Sequence, residues 1–371
     1  MIRRPVTVFL AVVLVSSRAY TQDPTPGADL PTDGSSPLRK ADARVIAIPI
    51  LRSAPATGFG GGVGFAALFP SDSGVFPSAV GIGGVYSTNN SWAYGLGGRV
   101  YAVGDLARFA GGAAGYGLRY DFFGIGNEAG DDGDALRVIQ RGNAEMFEAT
   151  VRVRPGLYVG PRYRRAQFTV EPDETVSFPS PTIVTSDRRY LTSALGGALL
   201  YDTRDSELWP ESGTLVRGSA MFARDGFGGL QSFNDFDLAG SHYLFLSRRS
   251  VLALRLAFCN VTDGAPAWEL CQFGLGPDLR GYVAGRYRDH ALGAGQAEYR
   301  FPIWRRFGGV AFGGAGEIAP ELGSLNFSDV LASGGVGVRY RVLSAARLNA
   351  GIDYAVGKNG GEVYFRLGEA F

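Results

Sequence analysis

The chain has 371 residues, in which 36 Lys plus Arg nearly balance 35 Asp plus Glu. This balance provides neither the basic field that nucleic-acid binding needs nor an acidic tail, so a nucleic-acid partner is excluded. Glycine occurs 55 times and aromatic residues make up 12% of the chain. Because glycine usage is about twice the ordinary level, the composition favours a large β-protein or a low-complexity chain.

The N-terminus carries the pattern of a signal peptide. Arg3 and Arg4 precede the apolar run 6–15, and the small residue Ala19 suits a cleavage site. A basic region followed by an apolar region of this length is typical of secretory signals. A membrane anchor is the alternative, but a helix that crosses a bilayer needs about 20 apolar residues. We therefore predict that residues 1–19 are a signal peptide and that the chain is exported.

Two further regions follow. Residues 20–42 are rich in Pro, Asp, Thr, Gly and Ser. Such a segment buries too little apolar surface to fold, so we predict a disordered periplasmic leader. Residues 43–371 form a single predicted domain, in which no long uninterrupted apolar run indicates a transmembrane helix.

Strict alternation of side chains identifies this domain as all-β. In residues 251–258, for example, Leu254 and Leu256 share one face while Ala253 and Arg255 share the other. A soluble sandwich buries the apolar face between sheets, whereas a membrane barrel turns it to lipid. Segments of ten or more residues favour the barrel, because crossing a bilayer at a tilt takes about 9–11 residues and globular strands average about 5–6.

Sixteen strands are predicted, and their connections support the barrel. They lie near residues 43–53, 58–70, 77–87, 91–103, 107–122, 143–154, 157–170, 189–202, 213–224, 233–247, 249–258, 294–304, 307–318, 332–342, 346–356 and 361–371. Short turns alternate with longer loops near 123–142, 171–188, 259–293 and 319–331. This asymmetry is typical of outer-membrane barrels, which have short periplasmic turns and longer outer loops. An even strand count places both termini on the periplasmic side.

The longest loop holds the most unusual stretch, residues 276–289. It combines charged with apolar and aromatic side chains around the triplet Arg280, Gly281 and Tyr282. A loop that only had to stay soluble would not need this composition, so we expect it to fold against another part of the molecule.

Cys259 and Cys271 are the only cysteines and lie twelve residues apart in an exported chain. A disulfide at the stem of the long loop is the first interpretation. Metal binding is the alternative, but the loop offers only His290 as a further ligand, which makes a poor zinc site. We predict no metal and no cofactor.

The stretch 273–288 resembles the sixth extracellular loop of the BamA/TamA-like outer-membrane assembly factors, the bacterial surface-antigen barrels. In that family the loop folds back into the lumen and carries an Arg-Gly-aromatic triplet at its tip, which implies this position for Arg280, Gly281 and Tyr282. Further matches occur in the family's order. They are a periplasmic turn (Asp202, Arg204, Asp205, Pro210, Gly213), the strand 298–302, the strand 335–339 with Asp353, and a C-terminal sorting signal (Phe365, Leu367, Phe371).

The chain departs from the family in two respects. The family usually has Phe-x-Asp-x-Gly in its thirteenth strand, and here Gly314 stands at the aspartate position. Because an unpaired buried charge is costly, we predict that Glu298 replaces that aspartate as a bidentate lumen partner of Arg280, with Glu317 as second choice. The family's members usually carry periplasmic POTRA domains, for which residues 20–42 are far too short, so the resemblance implies a separate periplasmic partner.

Three functions remain open. The resemblance implies insertion or folding of unfolded outer-membrane client proteins, or translocation of a partner, through a lateral seam or the lumen. The alternative is a passive pore or structural barrel plugged by its sixth loop. An enzyme is disfavoured, because the only histidines, His242 and His290, belong to no Ser/His/Asp cluster. Each case places the chain in the bilayer of the bacterial outer membrane.

Pro49, in the first predicted strand, bears on the seam. Proline has no N–H to donate to a strand ladder, so this edge should pair poorly. The alternative is that Pro49 only marks where pairing begins.

Overall fold

The computed structural model describes residues 44–54, 58–69, 78–173, 188–206, 209–246, 250–274, 276–343 and 348–371. The predicted signal peptide, residues 1–19, and the predicted leader, residues 20–42, lie outside these ranges.

Sixteen strands form one antiparallel sheet in chain order. They are β1 (Arg44–Ala54), β2 (Gly58–Phe69), β3 (Ser78–Ser87), β4 (Trp92–Ala102), β5 (Ala107–Phe122), β6 (Leu136–Arg154), β7 (Leu157–Pro172), β8 (Arg188–Asp202), β9 (Gly213–Ala223), β10 (Phe233–Phe245), β11 (Val251–Val261), β14 (Ala291–Trp304), β15 (Phe307–Ala319), β16 (Leu331–Leu343), β17 (Leu348–Gly357) and β18 (Gly360–Leu367). Two short strands, β12 (Cys271–Gln272) and β13 (Arg288–Asp289), pair with each other inside the loop between β11 and β14. The predicted fold class, a sixteen-stranded antiparallel barrel, is confirmed.

Two predicted strand boundaries are wrong by several residues. β6 begins at Leu136 and not at 143, because its first residues pair with the end of β5, where Leu136 lies opposite Phe122. Several polar side chains in this segment hide the alternation. The last strand ends at Leu367, so Phe371 lies beyond it.

In the described residues, helical structure is confined to connections between strands. Helix α1 (Asn127–Asp132) lies between β5 and β6, and single 3₁₀ turns occur at Asp225–Phe227, Ala267–Glu269 and Leu322–Ser324. In the ranges that the structure describes, there is no helix with the length and apolar character needed to cross a membrane.

The two faces of the sheet differ as the alternation predicts. In β11, Leu254 and Leu256 are 40% and 59% exposed on the outer face, while Ala253 is fully buried on the inner face. In β17, Ile352 is exposed and Asp353 is buried. The sheet therefore turns an apolar surface outward, toward lipid, and encloses charged side chains.

The interior is packed around the loop between β11 and β14. One buried cluster joins loop residues Phe273, Leu279, Tyr282 and Tyr287 to inward side chains of β8–β11 and β14–β16. A second cluster places Trp268 of the same loop against inward side chains of β4–β8. The core of the molecule is thus formed by the side chains of this loop packed against the inner wall of the barrel.

The edge strands β1 and β18 lie beside each other. In the described residues their contact is less extensive than at any other junction of the sixteen-stranded sheet. Near this seam the rings of Phe59 and Phe365 meet edge to face, with centroids 6.3 Å apart. Pro49 lies in the middle of β1, opposite Val63 of β2. It therefore does not mark the start of pairing, which extends over the whole of β1.

Candidate functional site

The loop of residues 262–290, called here the plug loop, lies in the interior of the barrel. Its aromatic side chains Tyr282 and Tyr287 are almost fully buried, and so is Arg280. The structure therefore places the segment 276–289 against the inner wall, where its charges need partners.

The stem of the plug loop is closed by the predicted disulfide, which is confirmed. Cys259 near the end of β11 and Cys271 of β12 are joined, with Cα atoms 5.9 Å apart. The link fixes the point at which the chain leaves the wall and turns inward.

Gly281 lets the tip of the plug loop approach the wall closely. Its φ of 110° lies in a region that side chains avoid, and a Cβ there would come within 3.0 Å of the Val356 carbonyl carbon. The Gly281 N–H donates to the Tyr364 hydroxyl at 2.9 Å. The Tyr282 hydroxyl donates to the Ala332 carbonyl at 2.7 Å. The triplet is thus bonded to β16 and β18 on either side of β17.

Arg280 has polar partners on β14 and β17 and an aromatic partner on β15. Its Nη2 lies 2.7 Å from Glu298 Oε2, its Nη1 donates to Asp353 Oδ2 at 2.9 Å, and its Nε donates to Gln296 Oε1 at 3.2 Å. The guanidinium carbon lies 3.4 Å from the centroid of the Phe312 ring, a stacked cation–π arrangement. The structure brings Arg280 and Glu298 together, as predicted, but their contact is not bidentate, because Nη1 and Nε have other partners, Asp353 and Gln296.

The neighbourhood of Gly314 shows why an aspartate is replaceable there. Gly314 lies opposite Gln296 in the ladder between β14 and β15. A Cβ on Gly314 would meet the Gly295 carbonyl oxygen at 2.6 Å. Gln296 supplies the acceptor for Arg280 from the adjacent strand, and its own NH₂ donates to the Pro277 carbonyl at 2.8 Å.

Arg280 belongs to a buried network of four arginines and three carboxylates. Glu298 Oε1 accepts from Arg300 Nε at 2.8 Å, and Arg366 Nε lies 2.8 Å from Asp353 Oδ2. Arg339 pairs with Asp353 and donates to Glu369 Oε2 at 3.0 Å. Arg300 Nε also lies 3.7 Å from Glu369 Oε2, so each carboxylate touches at least two guanidinium groups. Three negative charges offset most of the four positive ones within the lumen.

The turn motif between β8 and β9 is a compact hydrogen-bonded unit. Arg204 donates through Nε and Nη2 to the two carboxylate oxygens of Asp202, at 2.9 and 2.7 Å. Asp205 accepts from the N–H groups of residues 211 and 212 at 2.9 and 3.1 Å. Gly213 has φ 102°, and a Cβ there would overlap the Thr203 carbonyl oxygen.

This turn and the chain end both contact the buried network through Arg300. Its Nη1 donates to the Pro210 carbonyl at 3.3 Å and its Nη2 to the Phe371 main-chain oxygen at 2.7 Å. Phe365 is exposed on the outer face of β18, whereas Phe371 is half-buried. Leu367 lies at the end of β18. The role of these three residues as a sorting signal stays a prediction.

Two further anchors of the plug loop were not predicted. Asp278 accepts from Arg255 Nε and Nη2 at 3.0 and 2.7 Å. Glu269, fully buried, lies 3.3 Å from Arg164 Nη2 and accepts from Thr192 at 3.1 Å. The sequence showed only that an arginine lies on the inward face of each of these strands. It did not show which carboxylate of the plug loop pairs with that arginine.

At its outer end the plug loop meets two other loops. Tyr287 Oη lies 2.7 Å from Asp131 Oδ1 of α1 and 2.6 Å from Asn359 Oδ1, between β17 and β18. Lys358 Nζ reaches the same Asp131 oxygen at 2.6 Å. Hydrogen bonds from Lys358 and Tyr287 hold the pKa of Asp131 below its ordinary value. We call these four residues the outer clamp.

The remaining candidates have local roles. Glu317 accepts from the Phe327 N–H at 2.7 Å, so it is not the partner of Arg280. His242 Nδ1 lies 2.8 Å from Thr214 Oγ1, and His290 Nδ1 lies 2.9 Å from the Val261 carbonyl. In the described part of the chain no cluster of three or more His, Cys, Asp or Glu could hold a metal ion.

Together these features define a transmembrane β-barrel whose lumen holds an inward-folded, charge-anchored loop. The Omp85 superfamily domain matches residues 95–371, and the chain belongs to that superfamily. It is accordingly a protein of the bacterial outer membrane.

Two solved structures share the fold. BamA from Haemophilus ducreyi lacking POTRA domains 1–3 is 15% identical, with a TM-score of 0.57 over 88% of this chain and 70% of that one. CdiB from Acinetobacter baumannii is 12% identical, with a TM-score of 0.55 over 87% of this chain and 59% of that one. No curated protein sequence matches the chain significantly.

Proposed function

We propose that the protein assists the insertion or folding of outer-membrane proteins, or the translocation of a partner, through the seam between β1 and β18. The observation that carries this proposal is the limited contact at that seam, next to fully paired strands on both sides. A strand edge with unpaired N–H and C=O groups is a template for a strand of another chain.

The sequence of β1 supports the same conclusion. Pro49 lies in mid-strand and cannot donate a hydrogen bond to either neighbour. The opposite edge is tied to the plug loop, because Tyr364 of β18 accepts from Gly281, and Arg366 of β18 shares Asp353 with Arg280. The plug loop would thus hold β18 in place while β1 moves.

A collaborator in the periplasm completes the proposal. The turn motif at 202–213 contacts the lumen network through Pro210 and Arg300. A separate periplasmic partner that binds this turn could bring clients to the barrel. We propose no enzymatic activity and no cofactor.

Crosslinking across the seam tests the proposal. Phe59→Cys with Phe365→Cys, joined by a short bismaleimide, would tie β2 to β18 across β1. The matched control is Phe222→Cys with Phe236→Cys, whose rings lie 6.1 Å apart on the paired strands β9 and β10. Purified barrels in liposomes would be assayed for the rate at which an unfolded outer-membrane protein inserts.

We expect the wild type and the crosslinked control to accelerate insertion, and the crosslinked seam to abolish the acceleration. Acceleration that survives the seam crosslink would exclude the seam as the route. Steady ion conductance without any acceleration would establish a passive pore. The absence of both would establish a structural barrel, the alternative that the extensive anchoring of the plug loop favours.

A further inference from the structure

Three turns at the periplasmic end of the barrel are joined to one another by hydrogen bonds. They follow β4, β6 and β8, at the end opposite to the one where the plug loop leaves β11. The Arg152 N–H donates to the Leu106 carbonyl at 2.8 Å, and the Asp202 N–H donates to the Gly156 carbonyl at 2.8 Å. The turns therefore form one continuous surface. We call it the ledge; it consists of residues 103–106, 155–156 and 203–206.

The first turn of the ledge is held in an unusual backbone conformation. Val103 and Asp105 have φ of 52° and 63°, on either side of Gly104 at 62°. A β-branched residue rarely adopts such a φ, because its side chain crowds the backbone. Asp105 accepts from Arg108 Nε and Nη2 at 2.7 and 2.9 Å and also from the Tyr158 hydroxyl. The Arg108 guanidinium carbon in turn lies 3.7 Å from the centroid of the Tyr158 ring. These contacts impose the conformation of the turn.

The strained turn presents apolar side chains to the periplasm. Val103 is 68% exposed and Leu106 is 45% exposed. Packing does not explain a strained valine that buries so little of its side chain. A strained residue that is held rigidly and left exposed indicates a binding role, because strain without a gain in packing persists where function requires it.

Two arginines give this part of the ledge a positive charge. Arg152 and Arg154, at the end of β6, are both exposed. Asp105, the carboxylate that interacts electrostatically with Arg152, is already paired with Arg108. Arg152 lies opposite the buried Tyr158 in the ladder between β6 and β7, so it points toward the mouth of the lumen and not toward lipid. An acidic group that reaches it must therefore approach from below the barrel.

We propose that the ledge docks a periplasmic protein through a segment that carries acidic side chains beside an apolar one. The apolar part packs on Val103 and Leu106, and the carboxylates pair with Arg152 and Arg154. A surface that is rigid before binding loses little conformational entropy when the partner docks. The proposal rests on the proposed function, because it specifies the chemistry of the separate periplasmic partner.

Photo-crosslinking in intact cells tests the proposal. The full chain would carry benzoylphenylalanine in place of Leu106, and the crosslinked product would be identified by mass spectrometry. We expect an adduct with a periplasmic protein whose modified peptide contains Asp or Glu. Arg152→Glu with Arg154→Glu should abolish this adduct. The matched control, Arg305→Glu with Arg306→Glu, makes the same change of charge in the exposed turn between β14 and β15 and should keep the adduct.

Val103→Gly separates binding from folding. Glycine adopts a positive φ without strain, so the variant keeps the turn and should be at least as stable as the wild type on heating in detergent. The protein identified by crosslinking would be purified and its affinity for the barrel in nanodiscs measured by biolayer interferometry. We expect Val103→Gly to weaken this affinity about tenfold, as truncation of a central apolar contact does. The affinity of the wild type should fall as the salt concentration rises.

Four results would overturn the proposal. They are no adduct at the ledge, adducts with phospholipid only, a modified peptide without acidic residues, and an unchanged affinity of Val103→Gly. The seam experiment is decided separately, because it uses the purified barrel without this partner. A seam crosslink that abolishes insertion in a barrel without a ledge adduct would leave the proposed route and remove this docking site. An adduct in a barrel whose insertion survives the seam crosslink would do the reverse.

Discussion

Arg280 connects the tip of the plug loop to β14, through Glu298 and Gln296, and to β17, through Asp353. Arg280 can be charged and buried because these partners compensate its charge and accept its hydrogen bonds. They come from strands that are distant in sequence. Removing one side chain therefore leaves acceptors without a donor, which costs more than the pair itself contributes.

Arg280→Ala should destabilise the barrel by about 3 kcal/mol, near the lower end of the range for breaking a buried pair. The lower end applies because Arg300 still pairs with Glu298, and Arg339 with Asp353. Arg280→Lys should recover only part of the loss, since an ammonium lacks the planar fork and the stacking on Phe312. The stability of both variants is measured by heating the barrel in detergent and following the mobility shift between its folded and unfolded bands on a gel. An effect no larger than that of Arg306→Ala, an exposed residue in a turn, would contradict the role of Arg280.

Asp353→Asn should lower the thermal midpoint more than Glu298→Gln. Asp353 contacts Arg280, Arg339 and Arg366, whereas Glu298 contacts Arg280 and Arg300. Loss of the first carboxylate thus leaves more positive charge uncompensated in a low-dielectric interior. The two variants compared in one unfolding series decide the matter, and the reverse order would show that Glu298 is the main counter-charge.

The sequence predicted some residues of this site better than others. The inward position of Glu298 followed from its alternation with Tyr299, since successive strand residues point to opposite faces. Asp353 belonged to a motif, but its contact with Arg280 depends on how far the plug loop reaches into the lumen. No local pattern specifies that depth.

At the scale of elements, the plug loop is restrained both covalently and by ion pairs. The disulfide closes a short loop, and its contribution is about 3 kcal/mol by the chain-entropy relation. Further restraints are the ion pairs of Glu269, Asp278 and Arg280. Their partners lie on different strands of the wall, so the plug loop is held to several sides of the barrel.

Replacing both Cys259 and Cys271 by Ser should therefore leave the plug loop inside the barrel. Combining this change with Arg280→Ala should let the loop leave the lumen more often, because the stem then lacks its disulfide and the tip lacks its ion pairs with β14 and β17. Limited trypsin digestion at Arg286 or Arg288 reports the release. Cleavage in the double Ser variant alone would show that the ion pairs do not hold the loop.

The outer clamp should depend on pH. Closure lowers the pKa of Asp131 from its ordinary value of 3.8, through hydrogen bonds from Lys358 and Tyr287. The clamp is therefore fully stabilised above that ordinary value and weakens as the pH falls through the lowered pKa, below about 4. Cleavage of the outer loops by a protease that is active in acid should increase in that range. Asp131→Asn should show increased cleavage of the same loops already at neutral pH. A variant that stays protected at neutral pH would contradict the clamp.

At the scale of the whole molecule, the barrel combines a firmly held interior with a weakly paired seam. β18 is attached to the plug loop, and β1 contains Pro49 in mid-strand. This asymmetry leads to the prediction that a crosslink across Phe59 and Phe365 blocks function, while the same crosslink across Phe222 and Phe236 does not. It also predicts that the mobile edge is β1, which hydrogen exchange of its amides relative to those of β17 would measure.

The sequence by itself determined the class of this protein. Period-two alternation, strand lengths and the sorting of loop lengths are local properties, and each depends on only one segment and its solvent. They were sufficient for the sixteen strands and for the apolar outer surface. The disulfide between Cys259 and Cys271 followed from there being two cysteines in an exported chain. Boundaries failed where polar side chains cover a strand on both faces, as at the start of β6.

Only the tertiary structure decided how the interior is connected. The partners of Arg280, the anchors of Glu269 and Asp278 and the outer clamp all join residues that are far apart in sequence. Their contacts depend on register and on the path of the loop through the lumen. Those are set by packing of the whole barrel, because a buried charge takes whichever opposite charge the closed sheet brings within reach.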